Sequence, residues 1–164
     1  MAITPNRHLM TALLFIVVAV FLVFTAPHST AQVTIEERQR AELPSALMSS
    51  SKSKIVLTSN NQLDGRTTAN VMSGQSLSGQ YFISSDTDRT IRINVTDNNV
   101  DSDISLTHFT VVYKGRLYTT FPVTGLPSPG KGESVYIGFT ATVKPRAGAG
   151  ERNLSYDIDV TEEN

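Results

Sequence analysis

Residues 136–160, YIGFTATVKPRAGAGERNLSYDIDV, carry two apolar series of period two around a connection of Pro, Ala, Gly and charge. Val135, Ile137, Phe139, Ala141 and Val143 share one parity in the first series, and Leu154, Tyr156, Ile158 and Val160 share one in the second. Successive side chains of a strand point to opposite faces, so each series predicts a strand with one buried and one wet face. The connection over 144–153 is longer than the roughly two to five residues of an ordinary hairpin loop. The two strands are therefore neighbours across a long loop, or they pass between two sheets.

The same pattern runs outward from this stretch. From Lys54 onward, Val, Ile, Thr, Tyr and Phe alternate between clusters of Gly, Asn, Asp and Pro, giving about eight strands. The clearest is 89–96, RTIRINVT, in which Ile91, Ile93 and Val95 face a core and Arg92, Asn94 and Thr96 face solvent. Residues 105–121 read as two strands joined at Lys114-Gly115, because Gly supplies the positive φ of a tight turn. Shorter runs at 55–59, 68–72 and 80–84 are split by Asn60-Asn61, Asp64-Gly65 and Ser78-Gly79, all of them turn chemistry. Many short strands with such connections predict an all-β fold, a single antiparallel two-sheet sandwich of immunoglobulin-like or pilin-like type, over 54–164.

The N-terminus obeys a different rule. Residues 9–26, LMTALLFIVVAVFLVFTA, are uncharged and follow a polar start containing Arg7, which is the layout of a secretory signal peptide helix. Pro27 stops the helix, and Ser29-Thr30-Ala31 supplies small residues for cleavage between Ala31 and Gln32. The alternative is an uncleaved anchor, since a span needs roughly 17–25 apolar residues. The expectation is an exported protein of the periplasm, cell surface or extracellular space, touching a membrane only through residues 1–31 before cleavage. Removing those residues from 164 leaves 133, enough for one domain with a real core.

Residues 32–53 are expected to form an N-terminal arm. Thr34 followed by Glu37 fits a capping box, predicting a short helix from Ile35 to about Glu42. The other reading is a flexible arm or a strand-donating segment, with Val33 and Ile35 as its alternating apolar residues, ended by Glu36, Glu37 and Arg38. The run SSSKSK at 49–54 reads as linker.

Composition restricts the chemistry. The chain has 14 Lys and Arg, 15 Asp and Glu, and no Cys. Arg7 is the one charged residue in the leader, so the remainder is slightly acidic and offers nothing to attract nucleic acid. Without Cys there is no disulfide, thiolate or Cys-based zinc chemistry. His8 and His28 lie in the leader, leaving His108 between Thr107 and Phe109 with no nucleophile-elbow motif nearby. It reads as a structural strand histidine, and no catalytic residue, cofactor or enzyme activity is expected.

The run Asp97-Asn98-Asn99-Val100-Asp101-Ser102-Asp103 clusters the hard oxygens that Ca²⁺ requires, making Asp97, Asp101 and Asp103 the metal candidates. It lacks a central Gly, and the twelfth position, where a bidentate Glu belongs, is His108. A polar turn rich in Asn and Asp is the simpler reading. Asp157 and Asp159 alternate with the apolar residues of the last strand, on its wet face, where charge discourages unwanted edge pairing.

Two stretches, IVLTSNNQLDGRTTANVMSGQSLSGQYFISSDTDRTIRINVT at 55–96 and the stretch at 136–160, resemble a family of exported bacterial proteins known as domain of unknown function 4402. The features that carry the resemblance are Gly65-Arg66-Thr67, Tyr136-Ile137-Gly138, Val143, Gly148 or Gly150, and residues 156–160. The chain departs from the pattern in its charged N-terminal segment, in the bulky Phe139, and at Arg152-Asn153-Leu154. The resemblance transfers no catalytic residue. It implies a surface β-sandwich similar to pilus subunits. The leading expectation is thus a non-enzymatic structural or interaction protein, fimbria-like, with protein partners including copies of itself. The alternative is a soluble binding module that uses loops 97–103 or 127–132 for a sugar, a peptide or Ca²⁺.

Overall fold

A computed structural model describes residues 33–47, 49–147 and 154–163. The signal segment 1–31, the Ala31-Gln32 cleavage pair and the loop residues Gly148, Gly150, Arg152 and Asn153 lie outside the described residues. The described residues form nine strands and no helix: β1 (Val33–Gln39), β2 (Ser53–Leu57), β3 (Gly79–Ser85), β4 (Ile91–Asp97), β5 (Ile104–Tyr113), β6 (Arg116–Tyr118), β7 (Val123–Leu126), β8 (Glu133–Val143) and β9 (Tyr156–Glu162).

Two antiparallel sheets result. The larger runs β1-β3-β8-β5-β6, with β2 also pairing β8; the smaller runs β7-β4-β9. β8 is the spine of the larger sheet. Its first half pairs β3, its second half pairs β2, and its other edge pairs β5 throughout. β8 and β9 sit in different sheets, so the stretch at 136–160 crosses from one layer to the other.

One core fills the space between the layers. Leu57, Ile83, Val111, Tyr113, Ile137 and Phe139 of the larger sheet meet Ile91, Ile93, Val95, Leu126 and Val160 of the smaller. The parities read from β4 and β8 hold: Ile91, Ile93 and Val95 are buried, as are Val135, Ile137, Phe139 and Ala141. Tyr113 is fully buried, yet its hydroxyl donates to the Pro127 carbonyl at 2.6 Å. Burial raises that phenol to about 12, so it stays a donor and ties β5 to the connection between β7 and β8.

The hairpin between β5 and β6 turns at Lys114 and Gly115, both at positive φ, 47° and 73°. This is the backbone of a two-residue primed turn. β5 also carries a bulge between Thr107 and Thr110. The extra residue lets Leu106 and Phe109, three positions apart, both point into the core.

The helix expected from Ile35 to about Glu42 is not formed; Val33–Gln39 is a strand. It pairs antiparallel with β3, from Val33 opposite Ser85 to Gln39 opposite Gln80. Thr34, the expected helix cap, shares a hydrogen bond with the Ser84 hydroxyl instead. The apolar face was too thin to hold a helix, whose stability in a protein comes mostly from packing. Main-chain pairing needs no such face, and the exposed Glu36, Glu37 and Arg38 suit an outer edge.

Three further expectations change in the same region. Ser53 and Lys54, read as linker, begin β2. Residues 68–72 form only an isolated bridge between Ala46 and Val71, and β7 was not anticipated. Ala41 and Leu43 pack on the core, so the segment after β1 belongs to the sandwich.

The layers are pinned at one end by Glu162 of β9, whose carboxylate accepts from the Ser85 hydroxyl of β3 and from Thr87 Oγ1 at 2.6 Å. These donors favour the charged form and hold Glu162 below the ordinary 4.5. A value lower in the folded than in the unfolded chain adds stability above 4.5, lost as pH falls through the depressed value. Glu162→Gln is therefore expected to lower the thermal midpoint modestly near neutrality and to flatten the acid limb of its plot against pH, so that variant and parent converge well below pH 4.5.

Candidate functional site

The outward face of the larger sheet holds a groove of about 970 Å³, lined from β2, β5, β6, β8 and the loop 58–68. Opposed residues of an antiparallel pair share a face, so the register fixes its floor. Lys54 lies opposite Thr142 and Val56 opposite Thr140, while Thr140 lies opposite Thr107 across β8. The core-facing partners of these rungs are Leu57 with Phe139 and Ile55 with Ala141. The alternation that turns Phe139 to the core thus places Thr140 and Thr142 on the outward face, where each is only 8% exposed.

The loop 58–68 makes one wall and replaces a missing strand. Val56 N–H donates to Thr67 Oγ1 and Lys54 N–H to Thr68 Oγ1, each at 3.0 Å. In return the Val56 carbonyl accepts from Asp64 N–H and the Lys54 carbonyl from Thr68 N–H, each at 2.9 Å. Asn61, at positive φ, anchors the loop's far side: its Oδ1 accepts from Ser78 N–H at 2.6 Å and Ser78 Oγ at 2.7 Å. The wall is thus tied to β2 on one side and to Ser78, just before β3, on the other.

Gly138 makes the close approach of that wall possible. A Cβ there would stand 2.5 Å from the Leu57 carbonyl oxygen, 2.7 Å from Ser59 N and 2.8 Å from Thr110 Oγ1. The glycine of Tyr136-Ile137-Gly138 is a packing requirement, since the chain leaving β2 crosses directly over β8.

Arg66 stands on the rim, held by Asp64. Its Nε donates to Oδ1 at 2.8 Å and its Nη2 to Oδ2 at 3.1 Å, while its own backbone N–H also reaches Oδ1. This pair lowers the Asp64 carboxyl below its usual range and raises the guanidinium. So exposed a pair adds little to stability, but it fixes the direction of the Arg66 fork. Opposite, His108 sits at the β5 bulge with φ 50°, and its Nδ1 lies 3.0 Å from Thr107 Oγ1. Histidine is among the residues that tolerate this backbone region. The strand histidine expected from sequence is therefore an exposed bulge residue facing the groove.

The calcium candidates are used differently. Asp97 accepts from Asn99 N–H and Leu106 N–H, and Asp101 from Asp103 N–H, all at 2.9 Å. These are turns in which Asp side chains satisfy nearby main chain. Among the described residues, no group of three or more His, Cys, Asp or Glu stands where it could hold a metal ion. The loop 127–132 is also engaged internally: Ser128 Oγ donates to the Thr87 carbonyl and the Gly130 carbonyl accepts from Ser85 N–H. Asp157 and Asp159 are exposed on β9, and Asn98 Nδ2 donates to Asp157 at 3.1 Å. Val33 and Ile35, the donor candidates, pair with Ser85 and Ile83 of their own chain.

Sequence reasoning missed the groove because its parts are distant along the chain. Thr140 and Thr142, alternating with Phe139 and Ala141, gave a polar face in β8, but nothing local joined that face to Lys54, Arg66 and His108. The chain matches no family model, no curated protein and no solved structure.

Proposed function

We propose that this protein is an exported, non-enzymatic interaction module that binds an extended ligand across the outward face of its larger sheet. The observation that carries the reading is the groove between the wall 58–68 and the β5 bulge, with threonines in its lining. A concave surface made in advance loses less ordering entropy on binding than a flexible loop does. The hydrophobic leader and the resemblance to domain of unknown function 4402 support export. Immobilised panels of glycans and extended peptides test the reading. Mature protein should be retained by at least one probe, and Thr119→Trp, which fills the groove from an exposed position, should abolish retention. A folded protein retained by no probe, or Thr119→Trp binding undiminished, contradicts it.

A fimbria-like subunit is the second reading, favoured by β1. This strand lies at the edge of its sheet with mostly exposed side chains, held chiefly by its main chain. Exchange of β1 between copies would build a chain of subunits by strand addition. Light scattering on concentrated mature protein decides it: assembly abolished by removing residues 32–39, which leaves Ala41 and Leu43 in place, supports polymerisation, and a monomer at every concentration refutes it.

A further inference from the structure

We propose that the groove takes an acidic polysaccharide, a chain bearing uronate or sulfate groups. The inference rests on the binding reading above and names its ligand class.

Charge points to an anion. Lys52, Lys54 and Arg66 line the groove against the single carboxylate of Asp64, and since Arg66 pairs with Asp64 the two lysines carry the excess positive charge. The whole chain has a formal charge of −1, so this cationic strip is a local concentration on a protein without a basic excess. A concavity lined by one sign of charge focuses its field on a ligand of the other sign. Arg66 uses two side-chain N–H groups on Asp64 and has three more, on a side chain 79% exposed. Those three donors suit a carboxylate or sulfate.

The rest of the lining selects a sugar chain over a peptide. An extended peptide gains affinity by adding a strand to a free sheet edge, and the β2 edge beside this groove is already filled by Thr67, Thr68 and Asp64. What remains for a ligand is hydroxyl chemistry: Thr110 and the exposed Thr119 line the surface, and the exposed Thr68, whose Oγ1 accepts from Lys54 N–H, keeps its O–H to donate. Adjacent strands are about 4.8 Å apart, so the floor from β2 across β8 to β5 is about 10 Å wide. A polysaccharide presents hydroxyls to such a floor and carboxylates to its rim.

The same lining argues against a neutral sugar. Phe109 and Phe139 are 9% and 1% exposed, with their rings packed on one another and on Tyr156 in the core. They offer no platform for stacking a pyranose. Leu117, at 61% exposed, is the large apolar side chain at the rim. Affinity therefore depends on charge and falls with salt.

Calorimetry on the mature protein tests this with oligogalacturonate as probe, beside a neutral glucan oligomer and poly-glutamate of matched charge. The expected result is uronate binding at about 0.1 mM or tighter in low salt, weakened about tenfold by molar salt, with no heat from the glucan. Lys54→Gln with Arg66→Gln should weaken uronate binding at least about tenfold, and Lys131→Gln, outside the groove, should not. If the double variant fails to fold, Lys52→Gln with Lys54→Gln, both exposed, serves the same purpose. Poly-glutamate binding as tightly as uronate would overturn the polysaccharide assignment in favour of an acidic peptide. Binding of the glucan but not the uronate overturns the acidic ligand and leaves the groove reading standing. No heat from any probe, with the protein folded, overturns both.

Discussion

Phe139→Ala is expected to cost about 3–5 kcal/mol, the range for deleting a buried aromatic side chain. Phe139 is 1% exposed, and its ring packs edge-on against Phe109 at 6.1 Å and tilted against Tyr156 at 5.7 Å. These three rings join β8, β5 and β9, so the residue links both layers. Its loss leaves a cavity lined by two aromatic rings that cannot both follow into the space. Phe139→Leu, which keeps most of the apolar volume, should cost much less. Urea denaturation followed by circular dichroism separates the two variants, and an Ala variant within about 1 kcal/mol of the parent would mean that the two sheets do not share this core.

Gly138→Ala is the second large effect, about 2–4 kcal/mol, and it arises from the opposite face of the same strand. The added methyl meets main-chain atoms, the Leu57 carbonyl oxygen and Ser59 N, and so cannot be accommodated by rotating a side chain. Either β2 lifts from β8 or the crossing chain moves. Both moves displace the wall 58–68 and should weaken binding in the groove along with stability. A fall of about 10 °C in the thermal midpoint is the expected reading. An unchanged midpoint would show that the chain after β2 does not cross over β8.

These two adjacent residues show how much of the fold was legible. The parity that puts Phe139 inside is local and could be read directly, as could that of Ile91, Ile93 and Val95. The turn at Lys114 and Gly115 was equally local, since its residue types state the backbone geometry. The bulge at His108 was harder. Leu106 and Phe109 can both be buried in one strand only if an extra residue intervenes, and that inference needs the β8 register to support it.

The N-terminal segment stayed open between helix, arm and strand because its local signals are satisfied by more than one structure. Thr34 and Glu37 have the spacing of a helix cap, while Val33 and Ile35 have the alternation of a strand. The available partner decides between them: β3 offers an edge of main-chain groups to Val33–Gln39, and no apolar surface was offered to a helix. For the groove, no local signal exists. Its cations come from residues 52–66, its other side from 108–119 and its floor from 139 and 140, and only the pairing of β2 and β5 with β8 brings them together.

The outward face of the larger sheet is the proposed place of action of this protein. Backbone amide shifts of a nitrogen-15-labelled chain of residues 32–164 titrated with oligogalacturonate test that proposal most directly. The predicted result is a contiguous set of shifted amides at Lys54, Arg66, Thr68, His108, Thr110 and Thr140, with β4, β7 and β9 unmoved. Shifts confined to the smaller sheet, or none at all, would contradict it.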